Sequence, residues 1–186
     1  MRARPARPGR RRWTWAIGAS VLAAMVAADR AGWLLVRPFN DHAAYDRRRV
    51  TVSRVIDGDT IEIAARDGLH DHATTRVRLL GIDCPEMAGY GRAAEPWAEE
   101  ATAFAAALVE GRSVILRLER AETRGLFGRL LAHIELEDGN CLNEALLTAG
   151  LAEAEERWPH SRLRRYAALA REARLRGLGI WSGQNP

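Results

Sequence analysis

Two β-patterned runs, Val50-Thr51-Val52-Ser53-Arg54-Val55-Ile56 and Thr60-Ile61-Glu62-Ile63-Ala64, flank the tripeptide Asp57-Gly58-Asp59. Strand side chains point alternately to opposite faces, so each run can bury one face and wet the other. An Asp-Gly pair between two such runs is a strong short-range hairpin signal, a plain type I′ turn being its simplest reading. That hairpin sets the class of everything downstream.

Three more runs of the same kind follow. Residues 75–82 alternate and then become continuously apolar, until Pro85 ends the strand by lacking an amide proton. Residues 113–118 and 130–136 complete five predicted strands. Between the third and fourth, residues 95–108 carry Trp97, Ala101, Phe104, Ala105 and Leu108 at helical spacing. Residues 143–149 form a second predicted helix ended by Gly150, and Ser161 is a suitable cap for a third. Trp181 is expected to pack back on the domain. The expected fold is α+β: a five-stranded OB-fold-like β-barrel with three helices, because closure removes exposed sheet edges.

The first 36 residues have a different character. Six arginines and no acid occupy residues 1–12, followed by sixteen uncharged residues from Trp13 to Ala28. A basic start before an apolar stretch is the pattern of a secretory signal peptide or an uncleaved membrane anchor. The expected organisation is therefore a signal or anchor over 1–36, a polar linker over 37–49, and a folded domain over 50–182. The domain is expected outside the cytoplasm, periplasmic or secreted, or held at a membrane by the leader.

The leader also distorts the charge of the whole. The formal net charge is +4, but residues 29–186 carry 22 arginines against 24 acids. The domain is thus slightly acidic, and basicity alone gives no argument for a polyanionic partner. The two cysteines, Cys84 and Cys141, define no disulfide framework, although export would permit a bond.

What the barrel itself does not need is the charge placed at its strand ends. Asp57, Asp59, Asp83 and Glu86 lie at the ends of β-runs, with Arg78 in the third strand and Arg129 after Gly128. Crowded carboxylates repel and resist desolvation unless a cation sits among them. Asp59 and Asp83 offer hard oxygen donors suited to Ca²⁺ or Mg²⁺. Guanidiniums beside such a cation match a phosphate. A stiffly held Glu86 is placed to orient a water or take its proton. The set points to metal-assisted cleavage of phosphodiesters. His70 and His72 fall in a polar loop and His133 in a strand, where solvated and core-edge roles are the expectation.

Four segments carry a resemblance to a known family: Val55-Ile56-Asp57-Gly58-Asp59-Thr60, then Arg78-Leu79-Leu80-Gly81-Ile82-Asp83-Cys84-Pro85-Glu86, then Phe127-Gly128-Arg129-Leu130-Leu131-Ala132, and Asn143-Glu144-Ala145-Leu146-Leu147. With Gly179-Ile180-Trp181 they resemble, in order and spacing, the staphylococcal nuclease or thermonuclease family over about residues 50–182. The resemblance implies a calcium-dependent nuclease acting on DNA and RNA and leaving 3′-phosphate ends. It implies Asp59, Asp83 and the carbonyl of Cys84 as Ca²⁺ ligands, and Asp57 as an outer carboxylate. Glu86 corresponds to the proposed general base, and Arg78 and Arg129 to the phosphate-binding arginines.

Departures fall on the substrate-holding residues. Phe127 stands where the family usually has a tyrosine, and Glu156 and Trp158 match a pair of base-stacking tyrosines. Trp158 can still stack a base. The alternative reading is a non-catalytic nucleic-acid-binding module on the same barrel; retention of every charged residue argues against it.

Overall fold

The computed structural model describes residues 39–89 and 91–183, together with Ala23. The predicted leader lies outside these residues. No helix among the described residues is long and apolar enough to cross a membrane.

Among the described residues, seven strands and four α-helices follow one another. They are α1 (Asp41–Tyr45), β1 (Arg49–Asp57), β2 (Thr60–Ile63), β3 (Thr75–Leu79), β4 (Ile82–Asp83) and α2 (Ala98–Val109). There follow β5 (Ser113–Arg117), β6 (Leu130–Glu135), α3 (Leu142–Ala149), β7 (Glu153–Ala154), α4 (Leu163–Leu175) and a 3₁₀ turn, Gly179–Trp181. The barrel closes in the order β1-β2-β3-β6-β5. The β3–β6 pairing is parallel, and the other barrel pairings are antiparallel.

The alternating pattern explains the interior. Val52, Ile61, Ile63, Val77, Val114, Leu116, Leu130 and Ile134 are all buried, each drawn from the inward face of its strand. Helix α2 covers the barrel with Ala98, Ala101, Ala105 and Val109, while Phe104 and Trp97 are only partly buried. Helix α3 contributes Leu142, Leu146 and Leu147. Burial of such side chains, at ~25 cal/mol per Å² of apolar surface, is the dominant force holding these layers together.

Several local expectations are corrected. Within the predicted linker, Asp41–Tyr45 form α1, and Tyr45 is buried with its hydroxyl donating to the Arg66 carbonyl at 2.7 Å. The described residues therefore hold four α-helices rather than three. The third strand breaks at Gly81, whose φ of +78° turns the chain before β4 pairs with β7. Gly58 and Asp59 form the hairpin turn, and Gly58 does not enter the left-handed region that a type I′ turn requires. Its lack of a side chain serves close packing instead, because a Cβ there would meet Cys84 Cβ at 2.7 Å and Ala101 Cβ at 2.9 Å. Ser161 does not cap α4, whose N-cap is Arg162. Cys84 and Cys141 are both buried and unbonded to each other.

Candidate active site

The β1–β2 turn and the end of β3 bring the first group of charges together. Thr60 pairs with Arg78 across β2 and β3, which sets the Asp57–Asp59 turn beside the Arg78 side chain. Asp59 is buried. Its Oδ2 accepts the Cys84 amide at 2.8 Å and its Oδ1 accepts the Thr60 hydroxyl at 3.2 Å. Asp57 in turn accepts the Asp59 amide at 3.1 Å. Burial raises the Asp57 pKa, against hydrogen bonding from Thr60 and the charges of Arg78 and Arg129.

Arg78 lies between the two predicted ligands. One guanidinium nitrogen is ion-paired to Asp59, and the other meets Asp83 Oδ1 at 2.5 Å and the Ile82 carbonyl at 3.3 Å. The cation that crowded acids require is thus supplied by the protein itself. Asp83 is exposed while Asp59 is not, so the pair joins a buried anchor to an open face. The donors fit a hard divalent cation: both are carboxylates, and Asp59 is fixed from behind by backbone and hydroxyl donors. Cys84 is no rival ligand through its thiol, because burial pushes that group up to about 12.

Arg129 enters from the loop before β6. Its Nη1 donates to Thr60 Oγ1 at 3.2 Å, so it shares a neighbour with Asp59. Burial, and then repulsion from Arg78, lowers its pKa, while Asp57 and Glu86 oppose the shift. Glu86 is exposed, and its amide is held by Glu95 Oε2 at 3.1 Å. Phe127 is 85% exposed and its ring lies 5.9 Å from the Arg129 guanidinium carbon. Trp158 is 54% exposed, available to stack. Arg76, two residues before Arg78 on β3, is exposed, whereas Arg78 is partly buried.

The support for this loop was not apparent from sequence. Arg124 reaches Asp41 Oδ1 at 2.7 Å, Asp67 Oδ2 at 2.8 Å and the Gly128 carbonyl at 2.9 Å. Both carboxylates are buried, and the two ion pairs raise the Arg124 pKa against the opposing effect of burial. His70 is bound to Asp67 at 3.0 Å and packs on Gly128, where an added Cβ would fall 2.6 Å from the ring. His70 is an exposed loop residue, as expected, and its ring also packs on Gly128 next to Arg129. Asn143 holds the other side, donating to the Leu80 carbonyl at 3.0 Å just before Gly81 and Asp83.

A cleft of about 600 Å³ opens here, lined by Asp83, Cys84, Pro85, Glu95, Pro96, Trp97, Glu153, Ile180 and Gly183. Its three acids make it a poor seat for a polyanion. A separate cluster, Glu119, His133 and His160, brings one donor atom from each residue within 4.8 Å of the others. It had no signature in sequence, because its members lie on three distant segments.

Comparisons with known proteins place the chain in one family. Residues 76–183 match the family described as "Staphylococcal nuclease homologue". The chain is 36% identical over 131 residues to the thermonuclease of Staphylococcus intermedius, covering 70% of this chain and 74% of that protein. It is 31% identical over 135 residues to endonuclease YncB of Bacillus subtilis, covering 72% and 61% respectively. It is 33% identical over 122 residues to probable endonuclease LCL3 of Schizophyllum commune, covering 59% and 41%. The chain thus spans less than two thirds of the length of these last two relatives.

Proposed function

The chain belongs to the staphylococcal nuclease family, and on that premise we propose that it is a Ca²⁺-dependent nuclease hydrolysing phosphodiester bonds in DNA and RNA. The observation that carries the reading is the convergence of Asp59, Asp83, Arg78 and Arg129 on one turn-and-strand junction. Asp59, Asp83 and the Cys84 carbonyl would hold the ion, with Asp57 behind them. Bound there, Ca²⁺ would supply charge to the scissile phosphate and favour deprotonation of the attacking water.

The side chains divide the remaining work. Glu86, exposed at the mouth of the site, takes the proton of the attacking water. Water oxygen bonds to phosphorus, the bond from phosphorus to the 5′ oxygen breaks, and that oxygen takes a proton from solvent, giving a 5′-hydroxyl and a 3′-phosphate. Arg78 and Arg129 are directed at the charge that grows on the phosphoryl oxygens, where stabilisation lowers the barrier most. Phe127 cannot give the phosphate a hydroxyl hydrogen bond, so its contribution is apolar contact with the nucleotide and with Arg129. Trp158 stacks on a base.

The same proposal includes export, with residues 1–36 acting as signal or anchor. Fractionation of cells making the full chain, followed by mass spectrometry of the recovered amino terminus, tests it; a cytoplasmic product starting at Met1 refutes it. The activity is tested by degradation of plasmid DNA and RNA with calcium, with magnesium and with chelator. Cleavage only with a divalent ion supports the nuclease. Retained binding without cleavage under every condition would establish the non-catalytic module instead.

A further inference from the structure

Glu119, His133 and His160 sit on three segments: after β5, within β6, and just before α4. A packed trio of polar groups normally satisfies itself with hydrogen bonds. This one does not. Both ring nitrogens of His160 are shielded from solvent and have no hydrogen-bond partner. A buried polar group left unpaired is costly, so its persistence calls for a ligand. Gly81 makes room for the ring: it has φ +78°, and a Cβ there would fall 2.4 Å from His160 Nε2.

The other two members are already oriented. His133 is buried, with Nε2 3.2 Å from Glu119 Oε1 and Nδ1 2.8 Å from the Tyr166 hydroxyl. Tyr166 continues to the Cys141 sulfur at 3.6 Å, and that sulfur to Asn143 Oδ1 at 3.6 Å. An imidazole whose second nitrogen is held by a hydrogen-bond partner is the usual state of a metal-bound histidine. Glu119 is fixed by the Ser161 amide at 2.9 Å and the Ser161 hydroxyl at 2.5 Å, which hold its carboxyl below the usual range despite burial. The Arg162 guanidinium, whose charge acts on both rings, is ion-paired to Glu135 at 2.7 Å.

We propose that Glu119, His133 and His160 form a second metal site that takes a borderline transition ion of the Zn²⁺ class, distinct from the all-carboxylate site at Asp59 and Asp83. Two imidazoles and one carboxylate suit zinc, whereas calcium prefers oxygen alone. Zinc at ~2.0–2.1 Å from nitrogen needs the three donors drawn inward from their present spacing. The Tyr166 chain accommodates binding without a new unsatisfied group: His133 Nδ1–H donates to Tyr166, whose proton turns to the Cys141 sulfur. The ion would tie the segment bearing Trp158 to β6 of the barrel, a structural clip rather than a participant in cleavage.

The test uses the full chain stripped with chelator and titrated with Zn²⁺ by calorimetry, and with Co²⁺ by visible absorption. Stoichiometric binding, tetrahedral cobalt bands and a rise in Tm with Zn²⁺ are expected. His160→Ala and Glu119→Gln should each weaken zinc binding by more than ~100-fold, beyond the ~10–100-fold of a lost outer partner, with the metal-free fold intact by circular dichroism. Asp83→Asn should leave zinc binding unchanged. Failure of the parent chain to bind would overturn the site, as would unaltered affinity in a folded His160→Ala or Glu119→Gln variant. Zinc binding abolished by Asp83→Asn would relocate it to the carboxylate site and equally overturn the proposal.

Discussion

Arg78 is ion-paired to the buried carboxylate of Asp59, and so occupies the position from which a divalent ion would neutralise that group. Arg78 and calcium therefore compete for the same charge in the absence of substrate. Arg78→Ala should strengthen Ca²⁺ binding by roughly tenfold, or ~1.4 kcal/mol, while Asp59→Ala and Asp83→Ala weaken it markedly. The same Arg78→Ala change should lower stability without calcium by ~3–5 kcal/mol, since Asp59 is left buried and unpaired. Calorimetry and urea denaturation, each with and without Ca²⁺, measure the two effects. Weaker calcium binding in Arg78→Ala would refute the competition.

Arg129 and Trp158 should separate in kinetics. In the proposed mechanism Arg129 faces charge that develops only during reaction, so Arg129→Ala is expected to reduce kcat by roughly 10²–10³-fold. Trp158 meets a base equally before and during cleavage, so Trp158→Ala should raise KM with kcat little changed. Steady-state assays on a short single-stranded oligonucleotide at saturating calcium and fixed salt distinguish the two. The reverse pattern would exchange the roles.

Arg124 touches neither predicted ligand, yet it joins Asp41, Asp67 and the Gly128 carbonyl. Arg124→Ala should cost ~3–5 kcal/mol by stranding two buried carboxylates. Arg124→Lys should recover little, because an ammonium cannot reproduce the guanidinium's forked contacts. Below full unfolding, kcat should fall as the Arg129 loop loosens. Denaturation curves and single-turnover rates on the same samples check both; stability equal to the parent's in Arg124→Ala would remove the platform role.

His133 gives the metal-free protein a specific acid sensitivity. Burial depresses its folded pKa from 6.5 to about 4. The neutral ring is favoured in the folded state, so its contribution is complete above pH 6.5 and is lost as pH falls toward 4. The loss is on the order of 3 kcal/mol at ~1.36 kcal/mol per unit. Denaturant titrations in chelator at pH 7 and pH 4.5 should show this loss in the parent and much less in His133→Gln. An equal slope in the two proteins would assign the acid sensitivity to carboxylates.

The strands were legible because alternation records burial directly: Val52, Ile61, Ile63 and Val77 are buried where the pattern puts an inward face. Asp59, Arg78 and Asp83 were legible for a related reason. They lie within 25 residues, on a hairpin and the strand that follows, and local pairing alone brings them together. Pattern said less about turns. Gly58 was read as a φ-positive turn residue, whereas packing against Cys84 and Ala101 is what excludes a side chain there.

The sequence by itself determined the closed β architecture, the charged constellation and the chemistry that constellation favours. Tertiary structure alone decided which remote polar groups share a buried space. Arg124 and Asp41 are 83 residues apart and His133 and Tyr166 are 33 apart, with no periodicity linking either pair. A hydrophobic pattern states that a face is buried but not which polar groups will be buried beside it. An ionisable side chain acquires a required partner only once barrel closure removes water from around it. That is why the platform under Arg129 and the Glu119–His133–His160 cluster emerged only from the folded chain.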